Sequence, residues 1–312
     1  MAIKGTLVPA LTFFDKDGNV DEEFVRWHLG WVLDNGVNGL FVTGTYGSGY
    51  LMTPDQRVRV FEIAMEVSNA RPGTFVVGHV GANDTNTSVY LTEKARDLGL
   101  AAVSAVNPYT FKYTDDELCG YYADLVAVAG DMPVFAYNNP DLTSKAIEFG
   151  LVKKFMKVGV SAMKDSSLNL KLANSIYTYN KLNGTDFKYI SGSTTGWPTF
   201  KKLGVDTMIA GVCNYAPELV AAMYKLSEGD DEEKFLKAYE IVNKIGSAVK
   251  VGNSQVSSHV ALAARGYDVP YMKKPLVCDY PKYADKMAEL AKLFEEYDAQ
   301  MAELLPGFKF VK

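Results

Sequence analysis

One lysine in the chain closes a run of residues that is otherwise uncharged. Lys164 follows residues 159–163 and precedes Asp165 and two serines. A lysine with the ordinary pKa of about 10.4 is a free amine in roughly one molecule in a thousand near pH 7.4. Burial disfavours the ammonium form and raises that fraction, as a Schiff-base lysine requires. The alternative is a solvated lysine with no chemical role.

A tyrosine ends another apolar run of the sequence. Tyr137 closes residues 133–137 and is followed by Asn138, Asn139 and Pro140. A phenol at such a place can pass a proton to or from a substrate hydroxyl. The chain has 19 tyrosines, most of which are expected to fill space. Tyr137 differs because its run is predicted to lie beside the run that ends at Lys164.

Two glycine-rich segments are suited to binding a small substrate. Residues 44–49 match neither G-x-G-x-x-G nor a P-loop, which disfavours nucleotide binding. Their N–H groups and the Thr45 hydroxyl can instead hold a carboxylate. Residues 191–196, together with Gly211, can line a phosphate or polyol pocket. In both segments the alternative is a tight connection or a helix cap.

Metal-dependent and serine-hydrolase chemistry find little support in the sequence. His28, His79 and His259 lack the spacing of zinc ligands, and no nucleophile-elbow motif is present. We therefore expect no metal site. His79 ends an apolar run, where a core histidine with satisfied hydrogen bonds is the favoured interpretation.

Eight short apolar runs are predicted to be parallel strands covered on both faces. They are residues 6–9, 39–43, 75–80, 101–106, 133–137, 160–164, 187–191 and 207–210. Helical segments separate them, with start signals at Asp21, Thr53 and Thr114. Such alternation favours a closed (β/α)8 TIM barrel, whose catalytic groups lie at the C-terminal strand ends. Lys164 and Tyr137 stand at such ends.

The last part of the chain is predicted to be a C-terminal helical extension. From about residue 230 the pattern is all-helical, with helices predicted at 232–249, 255–264 and 283–304. We therefore divide the chain into a (β/α)8 catalytic barrel, residues 1–228, and a helical appendage packed on it, residues 229–312.

Composition and charge argue against nucleic-acid-binding, membrane and disulfide-rich proteins. The 312 residues carry a net charge of −5, which argues against binding to nucleic acid or to anionic membranes. No stretch of 18 apolar residues and no signal-peptide core occurs. Three widely spaced cysteines do not form a disulfide pattern. We expect a soluble, cytoplasmic protein that acts on a small molecule.

Together these motifs resemble the N-acetylneuraminate lyase / dihydrodipicolinate synthase family of class I, Schiff-base aldolases. Residues 44–47 are similar to the family's G-[ST]-T-G loop, residues 137–140 to its Y-N-x-P motif, and residues 163–167 to its lysine strand. The resemblance covers nearly the whole chain. Each motif alone is weak, and the three at successive functional strand ends make the resemblance specific.

The resemblance implies roles for individual residues. Lys164 would form an imine with the keto carbon of pyruvate, so that no cofactor is needed, and Tyr137 would shuttle protons. Thr45 would orient the phenol and help to bind the carboxylate. The implied substrate-binding residues are Gly44, Tyr46, Gly47, Gly192, Ser193 and Ile209. The family commonly forms homotetramers, and the same assembly is expected here.

Several positions depart from the family pattern. Tyr46 replaces the second hydroxyl of the loop, which leaves backbone groups to contact the carboxylate, and Ser48 replaces a glutamate. Residues 141–143 lack the arginine of dihydrodipicolinate synthases, and residues 108–111 replace their paired tyrosine. Residues 193–195 are hydroxyl residues where sialic acid lyases carry acidic ones.

The leading hypothesis is a class I lyase that cleaves or forms a carbon–carbon bond between pyruvate and an aldehyde. The substrate would be a 2-keto-3-deoxy sugar acid or a sialic-acid-like compound. Alternatives with the same imine are a dihydrodipicolinate synthase, which the departures disfavour, and a 2-keto-3-deoxy sugar-acid dehydratase. A further alternative is a non-catalytic sensor of pyruvate or sugar acids, against which the presence of both Lys164 and Tyr137 argues.

Overall fold

The computed structural model describes residues 3–143 and 145–312, in which eight parallel strands form a closed barrel. The strands are β1 (Gly5–Pro9), β2 (Gly39–Val42), β3 (Phe75–His79), β4 (Ala102–Val106), β5 (Val134–Asn138), β6 (Ala162–Asp165), β7 (Lys188–Ser191) and β8 (Thr207–Ile209). Each strand pairs with the next in sequence, and β8 pairs with β1. The predicted (β/α)8 fold is confirmed.

Helices connect the strands and continue after the barrel is complete. They are α1 (Glu22–Asp34), α2 (Pro54–Asn69), α3 (Thr85–Asp97), α4 (Asp115–Ala129), α5 (Pro140–Thr143), α6 (Phe149–Lys157), α7 (Leu170–Asn183), α8 (Trp197–Lys202), α9 (Pro217–Ser227), α10 (Glu232–Ala248), α11 (Ser254–Ala264) and α12 (Ala284–Leu304). Short 3₁₀ turns occur at Gly49–Leu51, Gly211–Asn214 and Tyr280–Tyr283.

The predicted helix starts are confirmed by their caps. The side chains of Asp21, Thr53 and Thr114 each accept a backbone N–H from the third residue that follows. Thr53 and Thr114 form complete capping boxes, in which the residue three positions later returns a hydrogen bond to the cap. These caps fix where each helix leaves the barrel mouth.

Strand β6 begins two residues later than the sequence pattern predicts, the largest such difference among the eight strands. The predicted strand 160–164 starts in the structure only at Ala162. The Val160 N–H donates to the Phe155 carbonyl at 3.0 Å, so Val160 completes the turn that ends α6. Its apolar side chain is buried at this turn, which is why composition alone assigns it to the strand.

The barrel interior is filled by one continuous apolar cluster, which is called the interior layer below. Its members share an inward direction on alternate strand positions. They are Leu7, Phe41, Phe75, Val77, Ala102, Phe135, Ala162, Ile190 and Ile209. A second, larger core lies between the strands and the surrounding helices. The interior layer closes the barrel below the level at which β5 and β6 end.

The C-terminal helices pack on one side of the barrel. Helix α10 contacts α9 and α12, and α11 contacts α12 and the 3₁₀ turn Gly211–Asn214 that follows β8. The predicted helical extension is therefore present. The division into two domains at residue 228 stays a prediction. None of the helices in the described residues combines the length and apolar character of a membrane span.

A buried ion cluster joins these helices to the barrel. The Arg265 guanidinium contacts the Glu218 carboxylate, and Asp298 lies 3.5 Å from its other end. The rings of Phe294 and Phe310 lie 4.0 and 4.4 Å from the guanidinium carbon. Glu218 and Arg265 are almost completely buried, so removal of one partner leaves the other charge without compensation.

We expect Arg265→Met to lower the free energy of unfolding by about 3–5 kcal/mol, as for other broken buried pairs. Arg96, whose exposed side chain pairs with Asp97, provides the control. Arg96→Met is expected to change the free energy by about 1 kcal/mol or less. Denaturant titration of both variants checks this, and equal changes in the two would contradict it.

Candidate active site

The predicted lysine and tyrosine lie side by side in the barrel mouth. Strands β5 and β6 are adjacent, and their register sets Tyr137 opposite Lys164. Each residue is the last but one of its strand. Because side chains alternate along a strand, both point inwards, above the apolar layer that includes Phe135 and Ala162.

The Lys164 amine is enclosed by aromatic rings. Its side chain is 4% exposed, and Nζ lies 4.1 Å from the centre of the Tyr137 ring and 4.3 Å from that of Phe41. Burial lowers the pKa of Lys164, although the neighbouring Tyr137 phenol opposes this by favouring the ammonium form. On balance the pKa of Lys164 is lowered, which increases the fraction of free amine, the nucleophilic form.

The Tyr137 phenol is held by several polar groups. Its oxygen accepts a hydrogen bond from Asn139 Nδ2 at 3.1 Å and contacts Ser166 Oγ at 3.4 Å. The Thr45 hydroxyl lies nearby and also favours the ionised form of the phenol. Burial opposes ionisation, but Lys164 and these hydrogen bonds together lower the pKa of Tyr137. A phenol in this state can exchange a proton with a group bound at Lys164.

The loop after β2 follows the carboxyl end of that strand, at the barrel mouth. Its turn is closed by bonds from the Ser48 N–H to the Thr45 carbonyl and from the Gly49 N–H to the Gly44 carbonyl. In the part of the chain that the structure describes, the N–H groups of Thr45, Tyr46 and Gly47 donate to no protein oxygen. Three consecutive free N–H groups are suited to binding a carboxylate.

This loop has a strained backbone. Thr43 and Ser48 have φ angles of 56° and 54°, in the left-handed region that non-glycine residues rarely adopt. The Thr43 hydroxyl donates to the His79 carbonyl at 2.8 Å and so ties the start of the loop to β3. Strain of this kind persists only where neighbouring contacts hold it, and it is concentrated at functional sites.

Tyr46 lies beside Gly211, which follows β8. Burial raises the pKa of its phenol, and the nearby Ser254 hydroxyl on α11 opposes this shift. A Cβ at Gly211 would lie 2.1 Å from the Tyr46 oxygen, so the absence of a side chain at 211 makes room for the phenol. Tyr46 was predicted to bind substrate, and the structure places its phenol near α11.

The segment after β7 continues the site on the other side of Lys164. The Gly192 N–H donates to the Asp165 carbonyl at 2.9 Å, and a Cβ at Gly192 would lie 2.6 Å from that oxygen. Glycine is therefore required where β7 approaches β6. Ser193 is partly buried, and its Oγ accepts the Thr195 N–H. Ile209 lies in the interior apolar layer, 1% exposed.

His79 lies between two cations. Burial, Arg57 and Lys164 hold its pKa well below the ordinary value, so the imidazole is neutral. Its Nε2 accepts the Val106 N–H at 3.2 Å, and its Nδ1 lies 3.4 Å from an Arg57 guanidinium nitrogen. The ring meets the Tyr137 ring edge to face at 5.9 Å. The interpretation as a core histidine holds for its hydrogen bonds, yet its ring also borders the site.

Asp165, beside the lysine, faces away from it and anchors the strand end. Its Oδ1 accepts hydrogen bonds from Asn138 Nδ2 and the Ser167 N–H, and its Oδ2 from the Tyr189 phenol. The side chain is completely buried. This network fixes the carboxyl end of β6, and with it the position of Lys164.

Sequence reasoning missed Phe41, Arg57 and Gln255. Phe41 could have been found from strand alternation, because it lies two positions after Gly39 in a predicted strand, and alternate strand positions face the barrel interior. Arg57 donates to the His79 and Gly81 carbonyls from α2. Gln255 donates to the Thr45 carbonyl from a position 210 residues away in sequence. No local pattern indicates a contact of that kind.

A groove elsewhere on the molecule holds none of the predicted site residues. It has a volume of about 1220 Å³ and lies between the β1–α1 connection and residues 268–280. Within residues 3–143 and 145–312, no cluster of three or more His, Cys, Asp or Glu side chains is arranged to hold a metal ion. The absence of a metal site stays a prediction.

Comparison with known proteins gives one consistent family. The model of the dihydrodipicolinate synthetase family matches residues 2–295. A DapA-like lyase of Halobacterium salinarum is 28% identical over 279 residues, which cover 88% of this chain and 89% of that protein. The 2-dehydro-3-deoxy-phosphogluconate/2-dehydro-3-deoxy-6-phosphogalactonate aldolase of Saccharolobus solfataricus is 26% identical over 303 residues, 96% of this chain and 97% of that protein.

Solved structures show the same fold. A catalytic-lysine mutant of the sialic acid aldolase of Ruminococcus gnavus superimposes with a TM-score of 0.86. The two sequences are 22% identical, and the match covers 96% of this chain and 97% of that one. At this identity the likeness concerns the fold, which agrees with the closed eight-stranded barrel described above.

Proposed function

The chain belongs to the dihydrodipicolinate synthetase family and is a lyase, and we propose that it cleaves or forms a carbon–carbon bond between pyruvate and an aldehyde. The observation that carries the proposal is the buried Lys164 amine, 4.1 Å from the ring centre of Tyr137. The Tyr137 phenol in turn lies near Thr45, which begins the segment with three free backbone N–H groups. These groups supply a nucleophile, a proton carrier and a carboxylate site.

The reaction begins with attack on the keto carbon. Lys164 Nζ forms a bond to C2 of pyruvate, and the carbonyl electron pair moves to oxygen, which takes a proton from Tyr137. The Tyr137 phenolate takes one proton back from Nζ and passes it to the new hydroxyl group, which leaves as water. A protonated imine remains on Lys164, and Tyr137 is left as the phenolate. The free N–H groups of the Thr45–Gly47 segment hold the carboxylate. No cofactor is needed, because the imine is itself the electron sink.

The carbon–carbon bond forms from the enamine. The Tyr137 phenolate takes a proton from the methyl group, which converts the protonated imine into an enamine, and the enamine carbon attacks the aldehyde carbon. The aldehyde oxygen takes a proton from Tyr137 and becomes a hydroxyl group. Water then hydrolyses the product imine and regenerates the Lys164 amine. Cleavage follows the same steps in reverse, so one set of residues serves both directions.

The aldehyde half is proposed to be sugar-derived. Ser193 and Thr195 offer hydroxyl groups after β7, next to the close approach of Gly192 to Asp165. The Saccharolobus relative is named as an aldolase of phosphorylated 2-dehydro-3-deoxy sugar acids, which supports the same substrate class here. A 2-keto-3-deoxy sugar-acid dehydratase would use the same imine, but only the aldolase releases free pyruvate.

Trapping with borohydride tests the proposed imine. Incubation with pyruvate and sodium borohydride should reduce the C=N bond and fix the three-carbon unit on Lys164, as peptide mass mapping would show. Omission of pyruvate is the control. An unmodified Lys164 after both treatments would falsify the proposed function. Condensation of pyruvate with a panel of sugar aldehydes then identifies the second substrate.

We expect the rate of imine formation to rise with pH and to level off below pH 10.5, the ordinary pKa of a lysine. The reason is that burial lowers the pKa of Lys164, so the free amine is reached earlier in a titration. The trapped fraction at short times, measured from about pH 6 to 10, gives the midpoint. Nα-acetyllysine with pyruvate is the reference, and identical midpoints would contradict the expectation.

The assembly and location proposed for the protein follow the family. We expect a homotetramer in the cytoplasm. The three cysteines, Cys119, Cys213 and Cys278, are free in the structure, which supports a reducing compartment. Light scattering of the purified protein measures the assembly directly, and a monomeric mass would contradict the tetramer.

A further inference from the structure

Gln255 is a buried amide at the start of a helix outside the barrel. It is the second residue of α11 and is 5% exposed. Asn253 caps this helix by accepting the Val256 N–H at 2.9 Å, so the position of the first turn is fixed. A buried amide needs partners for both of its ends, and the identity of those partners indicates its role.

Both ends of the Gln255 amide are used. Nε2 donates to the Thr45 carbonyl at 2.9 Å, and Oε1 accepts the Ser254 hydroxyl at 3.2 Å. The Tyr50 phenol lies near the same side chain. The adjacent Ser254 lies near the Tyr46 phenol. Gln255 thus makes a direct hydrogen bond to the loop after β2, and two further residues of that loop lie close to the start of α11.

This loop has the strained backbone and the free N–H groups described above. The Ser48 N–H and Gln255 Nε2 share the Thr45 carbonyl as acceptor, and the Thr45 hydroxyl in turn lies near the Tyr137 phenol. A shift of the Thr45 peptide would therefore move both a carboxylate donor and a partner of the proton carrier. Helix α11 is one of the elements outside the loop that contact it, through the bond from Gln255 to the Thr45 carbonyl.

We infer that Gln255 is a positioning residue of the keto-acid site, which holds the Thr45 peptide in the orientation that binds the substrate carboxylate. The inference rests on the proposed function. It assigns the C-terminal helices a part in substrate binding, through a side chain that does not itself touch the substrate. Ser254 lies beside the same loop, near Tyr46.

Replacement of Gln255 by methionine tests this role. Methionine keeps the length of the side chain and removes both hydrogen bonds. We expect the pyruvate concentration for half-maximal borohydride trapping to rise about tenfold, the scale of one lost buried hydrogen bond. The maximal trapping rate is expected to change less than this concentration. Gln300→Met on α12 is the control, because the Gln300 amide contacts only the Glu296 side chain in the described residues.

The outcomes separate this inference from the proposed function. Failure of the wild-type protein to trap pyruvate overturns the proposed function and the inference with it. Normal wild-type trapping with an unchanged half-saturating concentration in Gln255→Met overturns the inference alone, even if the melting temperature falls. Should that variant not fold, Ser254→Ala tests the same loop, and an unchanged concentration there also overturns the inference.

Discussion

Replacement of Lys164 by methionine is expected to abolish both pyruvate trapping and turnover. The imine cannot form without Lys164, because the amine enclosed by Phe41 and Tyr137 is the nucleophile of the proposed reaction. Loss of the covalent pathway should lower the rate by about 10⁴-fold or more, a modest part of the accelerations that enzymes reach. Methionine fills most of the same volume, so the barrel is expected to remain folded.

Lys188→Met is the matched control for this change. Lys188 begins β7 at the opposite end of the barrel, and its half-exposed side chain pairs with Asp186 at 3.3 Å. We expect it to retain wild-type activity. Turnover that survives in Lys164→Met, with circular dichroism and melting temperature unchanged, would remove Lys164 from the mechanism. Absence of turnover in the wild-type protein with every aldehyde would favour a sensor.

Tyr137→Phe is expected to lower kcat by about 10²–10⁴-fold, the range for loss of a general acid–base group. The ring that faces the Lys164 amine is kept, and only the hydroxyl is lost. Carbinolamine formation and protonation of the aldehyde oxygen then depend on water. Steady-state kinetics with pyruvate and the identified aldehyde measure the effect.

The same variant should also move the pH dependence. Burial lowers the pKa of Lys164 and Tyr137 opposes that shift, so removal of the phenol leaves burial unopposed. The midpoint of imine formation is therefore expected at a lower pH than in the wild-type protein. Tyr121→Phe, which removes a buried phenol bonded to Ser88 between α3 and α4, should leave kcat and this midpoint unchanged. Equal kinetics in the two variants would contradict the role of Tyr137.

The parts of the site that sequence reasoning could predict lie at strand ends. Lys164 and Tyr137 each close a short apolar run, and the barrel rule then sets both at one mouth. Strand alternation determines their inward direction, so the two side chains meet once β5 and β6 are neighbours. Local pattern and fold class are sufficient for this pair.

Other contacts depend on how separate elements pack. Gln255 reaches Thr45 only because α11 lies against the 3₁₀ turn after β8, and the helical pattern does not indicate where that helix docks. Ile209 is predicted to bind substrate, and this stays a prediction; its side chain lies in the interior layer.

The fit between Tyr46 and Gly211 restricts the order in which this barrel mouth can be altered. With glycine at 211, position 46 can hold either the phenol or a small hydroxyl residue. With any larger residue at 211, the phenol at 46 has no space, because the oxygen would lie 2.1 Å from the new Cβ. If the two positions are changed one at a time, Tyr46 must be replaced by a smaller residue before Gly211 is replaced by a larger one. The same two substitutions are thus tolerated in one order and not in the reverse order.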